Sequence, residues 1–328
     1  MRIFSGIQPT GRKHLGNYIG AIRQYVEGQD RGDPAIYCIV DLHAITVPYE
    51  PAALRTAVLD TTAMLLAAGL DPDRCILFRQ GDVHEHTELC WLLTPVTAHG
   101  ELNRMTQFKE KSAKQRELVS AGLFLYPVLQ AADVLAYRAY EVPVGEDQRQ
   151  HIELMRNIAI RFNERFGETL VVPEHKIPEV GARIMDLQSP GDKMSTTAAS
   201  EQGTIYILDD DKTITKKIKS AVTDSGSDVR VAPDKPGISN LIEILAVIRG
   251  VDHATIESEF DGQQYGGFKQ AVADAVVDYL RPIRERYDEL RPDEAELQQT
   301  LAEGAARAHE LASETLRDVR HAMGVGGE

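Results

Sequence analysis

Near its amino terminus the chain reads Phe4-Ser5-Gly6-Ile7-Gln8-Pro9-Thr10-Gly11-Arg12-Lys13-His14-Leu15-Gly16-Asn17-Tyr18. Arg2 to Ser5 has the composition of a short first strand. Tyr18, Ile19, Ile22 and Tyr25 fall at helical spacing, so a helix is expected from near Gly16. The turn between them is built of Gly, Gln, Pro, Thr and Gly. A strand, a glycine-rich turn and a helix form a site for anions, because free N–H groups and the positive end of the helix dipole meet there. His14 stands just ahead of that terminus, where an imidazole can donate to a phosphate oxygen. The spacing matches neither the dinucleotide glycine fingerprint nor a P-loop. Alone, such a stretch reads more readily as a turn with a surface histidine.

Moving outward, Ala35 to Val40 is an apolar run of strand length, followed by Asp41, Leu42 and His43. Pro51 to Gly69 reads as a helix with Pro near its start and Gly at its end. Cys75 to Phe78 is a further strand and His84 to Leu93 a further helix. This alternation predicts a doubly wound α/β domain with continuous apolar strands in a parallel sheet. Ligands in such folds sit at the carboxyl ends of the strands, which brings the opening turn, Asp41 to His43 and Gly145 to Gln148 to one edge.

The chain has 328 residues, 43% hydrophobic, and a formal net charge of −14. The charge argues against indiscriminate nucleic-acid binding but leaves room for a structured RNA on local basic patches. No apolar run reaches the ~20 residues that span a bilayer, and no signal peptide is evident. Cys38, Cys75 and Cys90 are scattered without metal spacing, the pattern of reduced thiols in a cytoplasmic protein.

Arg104, Lys109, Lys111, Lys114 and Arg116 crowd one segment, either a solvated face or a phosphate contact. Tyr126-Pro127 is expected to open an apolar helix in which Gln130, Asp133 and Tyr137 share a face. An ionised Asp133 there needs a partner. Two readings fit equally: a partner elsewhere in the chain, such as an Arg, or a pocket whose carboxylate awaits a ligand's donor. Val142-Pro143-Val144-Gly145-Glu146-Asp147-Gln148 ends a strand; Asp147 suits a helix cap or a ribose. His151 and Glu153 point to different helix faces, so no metal site is assigned. Gln188 to Ala198 is a polar loop in which Lys193 stands among hydroxyls, a linker or a lid for a triphosphate. Beyond Ile205 the chain turns helical. Asp209 to Asp211 opens a helix through Val222 with Lys212, Lys216 and Lys219 on one face, and Phe268 to Tyr287 and Asp293 to Met323 end the chain as amphipathic helices.

The opening turn and the lysine loop together resemble the paired signatures of class I aminoacyl-tRNA synthetases: His14-Leu15-Gly16-Asn17 is similar to HIGH, and Lys193-Met194-Ser195-Thr196-Thr197 to KMSKS. Further stretches resemble the tryptophanyl-tRNA synthetases: Phe4 to Pro9, Ile39 to Thr46, Met105 to Lys109, Val142 to Gln148 and Ala221 to Ser225. The tyrosyl enzymes share fold and signatures, but Asp133 and the Val142 to Gln148 stretch favour tryptophan. An auxiliary, RNA-binding or regulatory relative is a second alternative, kept open by Thr196 and Gln130.

The resemblance implies a Rossmann-like catalytic domain over 1–205, with an inserted helical segment near 104–140, and a helical anticodon-binding domain over 206–328. It implies a cytoplasmic homodimer that joins L-tryptophan to ATP with Mg2+, releases pyrophosphate, and passes the aminoacyl group to tRNA. Asp133 would accept from the indole N–H. Tyr126 and Gln148 would hold the substrate amino group, with Gln8 near its carboxylate. Phe4, Gly6, His43, Gln130, Val142 and Val144 would complete the tryptophan pocket. Gln8, Pro9, Thr10, Gly16 and Asn17 would contact ATP, Gly145, Glu146 and Asp147 its ribose, and Ile184 its adenine. Lys111, Lys193, Met194, Ser195, Thr196 and Thr197 would hold the phosphates, with His14, Lys111, Lys193 and Ser195 assisting catalysis. Two departures stand out. Thr196 replaces the second lysine of the loop motif, removing a cation. Gln130 replaces a methionine, placing an amide at the pocket wall.

Overall fold

The computed structural model describes residues 2–31, 35–107, 119–143, 145, 148–176, 183–195 and 200–326. Lys111, Val144, Glu146, Asp147, Thr196 and Thr197 therefore lie outside the described residues, as do Lys109, Lys114 and Arg116. Five strands, β1 (Ile3–Ile7), β2 (Ala35–Ile39), β3 (Cys75–Arg79), β4 (Glu141–Pro143) and β5 (Glu174–Lys176), form one sheet in the order β3-β2-β1-β4-β5. Every neighbouring pair is parallel, with Ile3 opposite Ala35 and Ala35 opposite Cys75. All five residues of β2 and four of five in β3 are buried, as expected for strands covered on both faces. The strand order reverses between β1 and β4, and in such sheets the crevice beyond the carboxyl ends at that reversal receives ligands. Gly6, exposed in the central strand, leaves the sheet open there.

The longer helices are α1 (Pro51–Ala67), α2 (Glu85–Leu93), α3 (Ala121–Leu135), α4 (Arg149–Phe166), α5 (Asp211–Lys219), α6 (Pro236–Arg249), α7 (Tyr265–Leu290) and α8 (Glu294–Met323). The helix after the opening turn starts at Leu15, widens into a π-turn over Tyr18–Ile22, and resumes over Arg23–Gln29. Pro127 does not open its helix. α3 begins six residues earlier, where Ser120 accepts from the Leu123 N–H at 3.1 Å. Pro127 sits inside, at the expense of one ladder hydrogen bond, in a segment whose burial outweighs that loss. α5 ends at Lys219, short of Val222, and Asp210 is its cap, accepting from Thr213 N at 2.6 Å.

The chain forms two compact units: 1–10, 24–178 and 291–328 make the first, 11–23 and 179–290 the second. These bounds differ from the expected break after residue 205. Within the segment expected as an insertion, the described Val128, Ala131, Ala132 and Leu135 of α3 are buried in one core cluster with Ile36, Cys38, Phe78 and Leu89. α8 also belongs to the first unit, packing on β3 and α2. Its Gly304 explains how: a Cβ there would stand 1.8 Å from the Leu77 carbonyl oxygen, so only glycine admits this approach. Arg307 Nη1 then donates to the carbonyls of Pro72 and Cys75 at 2.7 and 3.0 Å. Among the described residues no helix is long and apolar enough to cross a membrane. Cys38 and Cys75 are buried and Cys90 is half-buried, all as free thiols.

Candidate active site

In the first unit the sheet's carboxyl edge converges on Asp133, which is 2% exposed. His43, on the turn after β2, places Nε2 at 2.7 Å from Oδ2. Gln80, directly after β3, donates from Nε2 to Oδ1 at 2.6 Å, and His86 in the first turn of α2 places Nδ1 at 2.6 Å from the same oxygen. An ionised carboxylate only accepts, so both imidazoles must present N–H groups to it. His86 Nε2 in turn lies 2.6 Å from the Tyr137 hydroxyl, which extends the chain of hydrogen bonds. The Gln80 amide is oriented by its other end, which accepts from Leu42 N at 3.1 Å. Burial pushes the Asp133 carboxyl up, but His43 and His86 overcome it and hold the group below the usual carboxylate range.

Of the two readings the sequence left open, the one met here is a partner from elsewhere in the chain: His43, Gln80 and His86 all reach Asp133, and none of the three is an arginine. A carboxylate has about four acceptor positions, so one remains. Gln80 and His86 were missed in the sequence. The rule that singled out His43 at the end of β2 applies equally to Gln80 at the end of β3.

The neighbouring residues fall into two sets. Phe4 and Val142 are buried members of the core; Phe4 stacks on Tyr137 with ring centroids 5.5 Å apart. Tyr126 is buried, its hydroxyl 2.9 Å from His151 Nε2 and 3.4 Å from Gln107 Oε1, and burial pushes it up to about 12. His151, set aside as a metal ligand, thus positions Tyr126. Gln130 donates from Nε2 to Gln148 Oε1 at 3.3 Å, joining α3 to the residue that precedes α4. Gln8 and Thr10 are exposed, with the Thr10 hydroxyl 3.5 Å from Gln8 Oε1, and Pro9 between them is buried. Gly145 is exposed and its carbonyl accepts from Gln148 N at 3.0 Å.

The second unit holds the other half of the predicted residues. His14 and Tyr206 form an antiparallel bridge, flanked by Leu15 N to Ile205 O at 2.8 Å and Ile207 N to Lys13 O at 2.9 Å. His14 also caps the helix that begins at Leu15. Its Nδ1 accepts from Asn17 N at 3.2 Å, and its own N–H donates to Asn17 Oδ1 at 3.1 Å. With Nδ1 accepting, the ring proton sits on Nε2. Burial, then the nearby Lys193 and Lys13, push His14 down to about 4, so it is a neutral single donor at pH 7. Gly16 is the close neighbour: a Cβ there would meet His14 Nδ1 at 3.1 Å and Ile184 at 3.6 Å.

The lysine loop is a hairpin rather than a linker. Met185 and Lys193 pair as an antiparallel bridge, Asp186 N donates to Asp192 O at 2.9 Å, and Met194 N donates to Ile184 O at 3.0 Å. The Asp186 carboxylate closes the turn by accepting from Gln188 N and Ser189 N. Ile184 and Met194 are buried, Lys193 is exposed, and the Ser195 carbonyl accepts from the Thr204 hydroxyl at 2.9 Å. Burial holds Lys13 down to about 8, so the cation beside His14 loses its proton more readily than an exposed lysine. The Ala221 to Ser225 stretch is tied back to the hairpin by Val222 N donating to Leu187 O at 2.8 Å. Its Asp224 accepts from Lys235 Nζ at 3.0 Å and from the Tyr265 hydroxyl.

The family model for class I tRNA synthetases (W and Y) matches residues 1–281. The chain is 51% identical over 326 residues to Tryptophan--tRNA ligase 2 of Streptomyces avermitilis, covering 98% of this chain and 96% of that one. It is similar in structure to tryptophanyl-tRNA synthetase from Mycoplasma pneumoniae, with a TM-score of 0.90 and 35% identity over 99% of this chain and 98% of that one. The Campylobacter jejuni tryptophanyl-tRNA synthetase complexed with ADP and tryptophan matches at a TM-score of 0.85 and 35% identity, covering 99% of this chain and all of that one.

Proposed function

This chain belongs to the class I tRNA synthetases of the tryptophan and tyrosine type, and from that premise we infer that it is a tryptophan–tRNA ligase. It activates L-tryptophan with ATP to the adenylate, releases pyrophosphate, and transfers the aminoacyl group to its tRNA. The observation that carries the reading is the folding of His14–Asn17 and Lys193–Ser195, far apart in sequence, into one compact unit where the lysine's charge is felt at the imidazole.

The reaction needs no nucleophile or general base from the protein. The tryptophan carboxylate attacks the α-phosphorus and pyrophosphate leaves, so catalysis is positioning together with stabilisation of phosphate charge. His14 offers one neutral Nε2–H donor at a helix start, where the dipole also favours an anion. Lys193 supplies an exposed point charge on the hairpin; Ser195, and Thr196 and Thr197 beyond it, supply hydroxyls. Lys111 is proposed as a second cation. Magnesium enters as the complex with ATP. Among the described residues the one three-donor cluster of His, Cys, Asp or Glu lies elsewhere, at His84, Glu85 and His309, and triphosphate-bound magnesium characteristically takes few protein ligands.

On the amino-acid side, the remaining acceptor position of Asp133 suits the indole N–H, and a site built to pair with that N–H rejects analogues lacking it. Tyr126 and Gln148 are proposed to hold the amino group, Gln8 the carboxylate, and Gly145, Glu146 and Asp147 the ribose. Lys212, Lys216 and Lys219 are exposed on one face of α5, the footprint expected for a phosphate backbone, and we assign the tRNA anticodon stem to the second unit. The working form is a cytoplasmic homodimer. The test is ATP–pyrophosphate exchange with single amino acids. Exchange with tryptophan and none with tyrosine is expected; exchange that is equal with both, or absent with both, overturns the assignment.

A further inference from the structure

In the first unit, apart from the residues discussed above, Glu85 occupies the first turn of α2 and is 2% exposed. Its Oε2 is buried and has no hydrogen-bond partner among the described residues. Its Oε1 is approached from two sides: His309 Nδ1 of α8 at 2.7 Å and His84 Nε2 at 3.4 Å. Ser313, one turn beyond His309, adds its hydroxyl at 2.9 Å. The three ligand atoms of His84, Glu85 and His309 lie within 4.8 Å of one another. These residues face an open cleft shared with Glu88, Arg320 and His321.

Burying a carboxylate with no lysine or arginine on it is costly. The helix start offsets part of that cost, but leaves unexplained why two imidazoles converge on one oxygen while the other is orphaned. Two histidines and one carboxylate form a donor set suited to zinc, and bonds of about 2.0–2.1 Å in a tetrahedron place donors roughly 3.3–3.4 Å apart. His84 already stands at that separation. His309, now within hydrogen-bond distance, must withdraw by a fraction of an ångström. Both histidine side chains are more than half exposed and can turn without disturbing the core.

We propose that His84, Glu85 and His309 form a structural site for a divalent transition cation of zinc type, with the Ser313 hydroxyl or a water as fourth ligand. The cation fastens α8 to α2 two residues beyond Arg307, extending the attachment that Gly304 and Arg307 make to the sheet. The site uses none of the residues assigned to activation, although Glu85 directly precedes His86 of the Asp133 network, and its test does not use aminoacylation, so it stands or falls separately from the function above.

The test titrates the full chain, stripped with a chelator, with Co2+ and then Zn2+. One Co2+ per chain with the intense visible bands of tetrahedral coordination, displaced by Zn2+, is expected. Loss of even an outer partner of a metal ligand costs roughly 10- to 100-fold in affinity, so His84→Ala, His309→Ala and Glu85→Gln should each weaken binding at least about tenfold. Zn2+ should raise the thermal midpoint of the unaltered chain and leave that of His84→Ala/His309→Ala unmoved. A spectrum of hydrated Co2+ alone, or equal affinity in the double variant, overturns the proposal.

Discussion

The cluster around Asp133 in the first unit and the pair His14 and Lys193 in the second solve opposite problems. Around Asp133 the polar groups are spent on one another: His43, Gln80 and His86 donate to one buried carboxylate, and Tyr137 completes the chain of bonds. Such a network is costly to leave half satisfied and rigid when complete. On the function proposed above, it would discriminate a ligand by a single remaining acceptor. Around His14 the bonds are made to backbone groups and through Nδ1, and on that proposed function the imidazole Nε2–H and the exposed Lys193 ammonium would face an anion. On the same proposal, the contrast teaches that selectivity would rest on a sealed network, and charge neutralisation on groups that the described residues do not pair.

The strongest way to break this contrast is Asp133→Ala. It leaves three donors facing a void, and removing one partner of a buried charged cluster costs about 3–5 kcal/mol. Urea denaturation should show that loss alongside collapse of tryptophan-dependent exchange; a change below about 1 kcal/mol would mean the network is not integral to the fold. Lys193→Ala should do the reverse. Its side chain is exposed, so stability should hold, while the exchange kcat falls roughly 100- to 1,000-fold with little change in the KM for ATP. A rise in KM alone would make it a ground-state ligand.

The next effect is set by pH. His14 titrates near 4 in the folded chain and near ~6.5 unfolded. The unfolded state binds the proton first, so stability is full above ~6.5 and falls as pH drops toward 4, by about 3 kcal/mol. Denaturation midpoints across that range should show a slope that His14→Asn abolishes, since an asparagine retains a capping acceptor. The smallest change is Gln130→Met. It deletes the 3.3 Å bond to Gln148, worth about 0.5–1.5 kcal/mol, and should tighten binding of apolar indole analogues relative to tryptophan by a few-fold. Unaltered ratios would show that Gln130 does not face the ligand.

Much of this was legible in the chain. β2 and β3 announce a covered parallel sheet through their unbroken apolar runs, and the Phe4–Tyr18 stretch marks the strand, turn and helix start. The carboxylate on α3 declares itself as unusual because its neighbours are all apolar. What escaped were partners set by spatial convergence. Gln80 and His86 look unremarkable in sequence, and the capping box of His14 with Asn17 hides inside a motif that invites a purely catalytic reading. Lys217, next to the exposed Lys216, is buried and donates to Thr204 O and Asp209 at 2.7 and 2.6 Å, partners that its lysine-rich neighbourhood does not announce.

The order of elements, their apolar faces and the chemistry of each short motif are properties of nearest neighbours along the chain, and the residues alone determined them. Which donors complete Asp133, the return of α8 to the sheet through Gly304, and the meeting of His14 with Lys193 were decided by tertiary structure. Each joins residues distant in sequence, and no local pattern encodes a distance between segments that only the packing of the core sets.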